Sequence, residues 1–234
     1  MSEKRAIVTV AIGEAEAYAR YTRPFLQVYA KRIGVPVLTI NTLPPGITNP
    51  QLAKLLWIES VFKEYERVLF LDADIIVSPK CTTNIFDIVP AQSVGMCVCP
   101  YLSSDVVECQ TRLNIVQQFW PELAQDKRMD FVYRMLNSGV MVIPVAHKSA
   151  FNMNVQDVQK MCDAGRKAKV HVTDQDVINY RLIEQNVPLY PLGIQWNCMW
   201  YQWHYINRFS IHMAHYITSS KRMIEWDVPV WNAL

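Results

Sequence analysis

RVLFLDADIIV, from Arg67 to Val77, joins an unbroken apolar run to a pair of aspartates and then returns to apolar residues. Val68 to Leu71 shows no polar alternation, which is the pattern of a strand buried on both faces of a parallel sheet. Asp72 and Asp74 fall at its carboxyl end, and in an extended backbone that spacing turns both carboxylates to one side. Two like charges so close repel. A divalent cation between them relieves the repulsion, and carboxylate oxygens suit Mg2+ or Mn2+, which keep positions for substrate phosphates. Surface aspartate pairs are common, so the spacing alone also describes a solvated turn; the apolar Ile75-Ile76-Val77 directly beyond it argues against that.

Upstream, Ala6 to Ile12 (AIVTVAI) is β-branched, continuous and stopped by Gly13, and reads as a first strand. Tyr18, Tyr21, Phe25, Val28, Tyr29 and Ile33 recur at helical spacing, with Pro24 placed near the first turn and Gly34 at the end. Val35 to Ile40 supplies a second strand, a proline-rich loop runs from Asn41 to Pro50, and Gln51 to Tyr65 is helical. The order is β-α-β-α-β, which predicts a doubly wound α/β sheet, mostly parallel, with ligands outside the carboxyl ends of its strands. Asp72 lies at such an end. Downstream, Val94 to Cys99 and Gly139 to Ile143 read as strands, and Val106 to Phe119 and Gln175 to Gln185 as helices.

The chain has 234 residues, 51% of them hydrophobic, enough to bury a sizeable core in a single domain over 1–234. The expected division is a nucleotide-binding half over about 1–100 and a sugar and acceptor half over about 101–234. A formal charge of +2 without a basic run excludes a nucleic-acid footprint and a polybasic anchor. The first apolar stretch is too short for a membrane span and lacks a cleavage-like pattern, so the expectation is a cytoplasmic protein that meets a membrane at most peripherally. Six irregularly spaced cysteines then read as thiols in a reducing compartment, and Cys97-Val98-Cys99 as core. Trp196, Trp200, Tyr201, Trp203, Tyr205, Phe209 and Trp226 crowd the last third, and those from Trp196 to Tyr205 read either as core or as a face on which an acceptor sugar stacks.

Four segments, in order, resemble glycosyltransferase family 8, the glycogenin-like enzymes of GT-A fold. They are KLLWIESVFKEYERVLFLDADIIV (54–77), NSGVMVI (137–143), DQDVINY (174–180) and HYITSSK (215–221). The resemblance implies a retaining, metal-dependent transferase that moves a sugar from a nucleotide diphosphate sugar, usually a UDP-sugar, to a carbohydrate or glycoconjugate acceptor. It makes Asp72-Ala73-Asp74 the DxD motif, with Asp72, Asp74 and His215 holding Mn2+ (or Mg2+). His215 is chosen over His212 because the family pattern HxxGxxK puts a lysine six residues on, here Lys221, which would neutralise diphosphate charge. Thr218 stands where the pattern has glycine. The resemblance also assigns Lys54, Thr9, Val10, Ala11, Tyr18, Ala73 and Ser138 to the donor nucleotide and sugar. It sets Asn137, Asp174 and Gln175 near the reacting carbon.

Those residues also have plainer readings. Tyr18 fits a helix core, Asp174 an N-cap, Asp176 a first-turn carboxylate facing the helix dipole, and Lys221 a solvated lysine. Three other functions compete with this reading. A haloacid-dehalogenase-like phosphohydrolase also sets two aspartates after a buried strand, but near the N-terminus and running on to threonine, where this chain has Ile75-Ile76. A non-catalytic sugar-binding protein on a transferase fold would use the aromatic cluster instead. A sugar nucleotidyltransferase needs a glycine-rich loop after its first strand, and Gly13 stands alone.

Overall fold

The computed structural model describes residues 3–43, 47–99, 105–203, 206–216 and 221–234, the side chains of 221 and 222 excepted. In chain order the elements are β1 (Arg5–Val10), α1 (Glu14–Ile33), β2 (Val37–Ile40), α2 (Ala53–Leu56), α3 (Ile58–Val61), β3 (Arg67–Asp72), β4 (Ile75–Val77), α4 (Ile85–Ile88) and β5 (Val94–Val98). There follow α5 (Val106–Val116), α6 (Gln125–Tyr133), β6 (Leu136–Pro144), α7 (Val155–Lys167), α8 (Asp174–Glu184), β7 (Leu189–Pro191), β8 (Cys198–Met199), β9 (Met213–His215) and α9 (Lys221–Asn232).

The main sheet has the order β2-β1-β3-β6-β5-β7. Its strands are parallel apart from β6, which runs antiparallel to both β3 and β5. The mostly parallel α/β reading is correct, with one reversed strand that βαβ alternation alone does not foresee. β3 is as buried as its unbroken apolar run requires. One apolar layer packs α5, α7 and α8 on one face, and a second packs Leu26 and Tyr29 of α1 on the other.

Two local expectations change. α1 begins at Glu14, so Pro24 lies in its interior and not in its first turn. Its ends still follow the charges, with Glu14 and Glu16 in the first turn, Lys31 and Arg32 in the last, and Gly34 at φ 71 closing it left-handed. The helix expected over Gln51 to Tyr65 breaks into a 3-10 turn, Pro50–Leu52, and the short α2 and α3. Trp57 sits at the break, stacked on Phe70 of β3 at 6.0 Å, and its carbonyl accepts from the Ser60 hydroxyl at 2.7 Å.

A second sheet, β4-β9-β8, carries the functional consequence. β4 pairs antiparallel with β9, and the register sets Ile75 opposite His215. Beneath it Phe25, Ile76, Cys198, Ala214, Tyr216 and Trp231 form a small core closed by α9. All six cysteines are buried, Cys97 and Cys99 in the core as expected. Among the described residues no helix is long and apolar enough to cross a membrane.

Candidate active site

Val10 of β1 and Asp72 of β3 are register partners, so both strands end at one level and Asp72 stands at the carboxyl edge of the sheet. The backbone does not stay extended through the motif. Ala73 and Asp74 form a turn into β4, and the Thr22 hydroxyl of α1 ties that turn by donating to the Ala73 carbonyl at 2.7 Å. The two carboxylates therefore converge through a turn, not through the pleat that their spacing suggests. Pairing of β4 with β9 adds the third group. Ligand atoms of Asp72, Asp74 and His215 all lie within 4.8 Å of one another, and His215 Nε2 is 3.3 Å from Asp74 Oδ1.

The charges respond to this crowding. Burial raises the Asp72 carboxyl above its ordinary range, more than the attraction of Lys54 lowers it. Burial acts on Asp74 in the same sense, but the adjacent His215, a backbone hydrogen bond and Lys54 together outweigh it and hold Asp74 low. His215 is raised, because Asp74 and then Asp72 overcome its burial. Asp72 and Asp74 keep 30% and 21% side-chain exposure, so oxygen lone pairs stay reachable from solvent.

Lys54 forms the floor of the site. It is buried, and its ammonium lies 2.8 Å from Asp174 Oδ2, 3.2 Å from Asp72 Oδ1 and 3.2 Å from the Ser138 hydroxyl. An ammonium has three N–H donors, and these contacts use all three. Burial alone would lower its pKa, yet Asp174 and Asp72 outweigh that and keep it charged. Asp174 is thus fixed by Lys54 and by the Ser138 hydroxyl at 3.2 Å. It is not the N-cap of α8. Thr173 caps the helix in a capping box with Asp176, whose first-turn carboxylate accepts from the Thr173 N–H at 2.8 Å and is also buried against Arg112 at 3.1 Å.

Asn137, Ser138 and Gly139 lie where the pairing of β5 with β6 shifts register, between Met96 and Cys97. There Asn137 Nδ2 and the Ser138 N–H both donate to Gln175 Oε1, at 3.1 and 3.2 Å. At the end of β1, Thr9 and Ala11 are buried, and Ala11 clusters with Ala19 and the motif's Ala73. Val10 is partly buried against the main core. Gly13, at φ 61, turns the chain from β1 into α1. Tyr18 is partly buried on α1 against the small core, and its phenol is raised by burial and by the Asp74 carboxylate.

His212 has a packing role. Its ring lies 4.4 Å from that of Trp196, and burial lowers its pKa. Among the described aromatics of the last third, Trp196 is core, Tyr201 and Trp203 are partly buried against other core residues, and Phe209 and Trp226 are exposed. Trp203 packs edge-on to Tyr216 at 5.2 Å under the Arg208 guanidinium. Tyr205, Thr218 and the side chain of Lys221 lie outside the described residues. Sequence reasoning missed Asn197, which donates to Asn137 Oδ1 at 2.7 Å and faces His215 Nδ1 at 2.8 Å. It also missed Gly139, whose backbone lies against the His215 ring.

A profile of Glycosyl transferase family 8 matches residues 23–222. No curated protein matches the chain. Among solved structures it resembles a glycosyltransferase involved in the glycosylation of the major capsid of PBCV-1, with a TM-score of 0.61 at 14% identity, covering 97% of this chain and 99% of that one. The galactosyltransferase LgtC, solved with donor and acceptor sugar analogues, gives 0.58 at 14% identity over 98% and 96% of the two chains. GlyE of Streptococcus pneumoniae gives 0.54 at 15% identity over 99% of this chain and 62% of that chain. At such identities the likenesses bear on the fold, which is GT-A. With the profile covering most of its length, the chain belongs to glycosyl transferase family 8 and is a glycosyltransferase.

Proposed function

We propose that this glycosyltransferase moves a sugar from a UDP-sugar to a hydroxyl of a carbohydrate or glycoconjugate, with retention of configuration and with Mn2+ or Mg2+ bound. The observation that carries the reading is the convergence of Asp72, Asp74 and His215 within 4.8 Å at the sheet's carboxyl edge. Two carboxylates and an imidazole suit such an ion, Mn2+ above all, because imidazole is a softer ligand than Mg2+ prefers. When bound, the ion supplies Lewis-acid charge to the departing diphosphate.

The chain's own residues do the rest. Lys54, its donors spent on Asp72, Asp174 and Ser138, serves the donor substrate through the groups it holds. Asn137, Asp174 and Gln175 face the sugar as oxocarbenium character develops, and a fixed Asp174 carboxylate favours that positive charge. Lys221 adds charge beside the diphosphate. Thr9, Val10, Ala11 and Tyr18 border the nucleobase. In this scheme 1–100 holds the nucleotide and 101–234 the sugar and acceptor, within a single domain.

A panel of nucleotide sugars with Mn2+, followed for slow donor hydrolysis, tests the reading. Turnover of one donor that stops on chelation is expected. No turnover of any donor, with glycan binding retained, would instead make the protein a sugar-binding module.

A further inference from the structure

We propose that Asn197 is a positioning residue: it fixes His215 in the tautomer that leaves Nε2 open to the metal, at the end of a chain of amides polarised by two backbone N–H groups. The inference rests on the metal-dependent reading above and deepens it.

The polarity follows from groups that can only donate. The Gly139 N–H lies 2.9 Å from one end of the Asn137 amide, so that end must be its oxygen. Asn197 meets the same oxygen at 2.7 Å and must present its NH2 there. Its other end is then an oxygen, 2.8 Å from His215 Nδ1. An oxygen only accepts, so Nδ1 carries a hydrogen.

A second backbone donor gives the same answer from the opposite side. The Ser138 N–H points at Gln175 at 3.2 Å, which makes that atom Oε1. Asn137, 3.1 Å from the same Oε1, must therefore turn its NH2 toward it and its oxygen toward Asn197. Asn137, Asn197 and His215 are 3%, 2% and 1% exposed, so water does not offer these groups substitute partners. Ring rotation is opposed as well. A Cβ on Gly139 would fall 2.5 Å from His215 Cε1, so the imidazole rests on a backbone that has no side chain to displace it. Histidine ligands to metals depend on such a partner for tautomer and orientation, and its loss typically costs about 10- to 100-fold in metal affinity.

The test uses the full chain with UDP present and reads Mn2+ binding by electron paramagnetic resonance. Nitrogen coupling to the bound ion reports whether the imidazole is a ligand. Asn197→Leu, of similar size, is expected to weaken Mn2+ binding about 10- to 100-fold and to diminish the nitrogen coupling. Asn197→Asp keeps an acceptor for Nδ1–H but sets its other oxygen against Asn137 Oδ1, and is expected to regain the nitrogen coupling with only part of the affinity. In a His215→Ala background, Asn197→Leu is expected to change affinity less than about twofold, because its partner is gone. Wild-type affinity and coupling in Asn197→Leu, or an equal loss in both backgrounds, would overturn the proposal while leaving the metal reading standing. A wild-type protein that binds no Mn2+ with or without UDP would remove both. If Asn197→Leu fails to fold, a folded Asn197→Asp that shows no nitrogen coupling overturns it.

Discussion

At Asp74 burial and a neighbouring imidazole act in opposite directions, and the imidazole, aided by a backbone hydrogen bond and Lys54, prevails. His215 is correspondingly raised. Without metal, the raised histidine contributes stability that is fully present below its unfolded pKa of about 6.5 and is lost as pH rises through the folded value. The depressed Asp74 contributes stability above its unfolded value of about 3.9, lost as pH falls through its folded pKa. An ion at Nε2 must displace the proton shared with Asp74. Mn2+ affinity, titrated calorimetrically with UDP present, is therefore expected to rise with pH until His215 has lost its proton, then to level off. Asp74→Asn removes the main cause of the raised pKa, so its residual Mn2+ binding should level off at lower pH. The same variant should retain its fold but lose at least about 100-fold in metal-dependent turnover, since a Lewis acid supplies several kcal/mol. An Asp74→Asn protein with full activity would sink the metal assignment. Of this triad, Asp72 and Asp74 are legible in the sequence, although the turn at Ala73 and not the pleat unites them. His215 is legible only through a family pattern. Asn197, a lone amide between Trp196 and Cys198, obeys no spacing rule, because its role is set by neighbours distant in sequence.

Helix α8 shows how an element is aimed. Thr173 and Asp176 close its N-terminus reciprocally, which leaves Asp174 and Gln175 in the first turn to face Lys54 and Asn137. Asp176 is 0% exposed and is held by Arg112, which α5 also secures through Glu108 at its own first turn. Burial raises the Asp176 carboxyl despite Arg112. Arg112→Met keeps the packing of the stem but strands a buried carboxylate, a change that typically costs about 3–5 kcal/mol. Urea unfolding at neutral pH should show that loss. Since a raised carboxyl binds its proton more readily when folded, the deficit relative to wild type should shrink as pH falls toward the carboxylate range. A deficit independent of pH would mean that Arg112 acts through packing alone. Helices such as α1 and α5 are legible because their apolar period matches a packed face. α7 carries the same signal in Val155, Val158, Met161 and Cys162 after the Asn154 cap. The break at Trp57 has no such signal, because stacking on Phe70 of a different element produces it.

Across the whole molecule, the site exists because β4 and β9, far apart in sequence, pair so that Ile75 meets His215. Neither three-residue strand carries a readable period, so this pairing is the part of the architecture that the sequence conceals most. α9 holds it in place. Trp231 is 0% exposed, its indole N–H donates to the Tyr216 hydroxyl at 2.8 Å, and that hydroxyl donates to Asp227 at 2.9 Å. Tyr216 follows His215 directly, and its backbone N–H bonds the Asp74 carbonyl at 3.1 Å, so α9 and the candidate metal ligands share one hydrogen-bonded chain. Trp231→Ala should therefore cost about 3–5 kcal/mol of stability through the cavity it leaves. It should also weaken Mn2+ binding by about 0.5–2 kcal/mol as β9 loosens, although the variant touches no ligand. Trp226, on the same helix, is 73% exposed and supplies the internal control. Trp226→Ala should stay within about 0.5 kcal/mol of wild type in stability, with unchanged Mn2+ affinity. Equal effects of the two substitutions would mean that α9 contributes only generic burial. A Trp231→Ala protein that is destabilised but binds Mn2+ normally would show that β4 and β9 hold the ligand geometry without the helix.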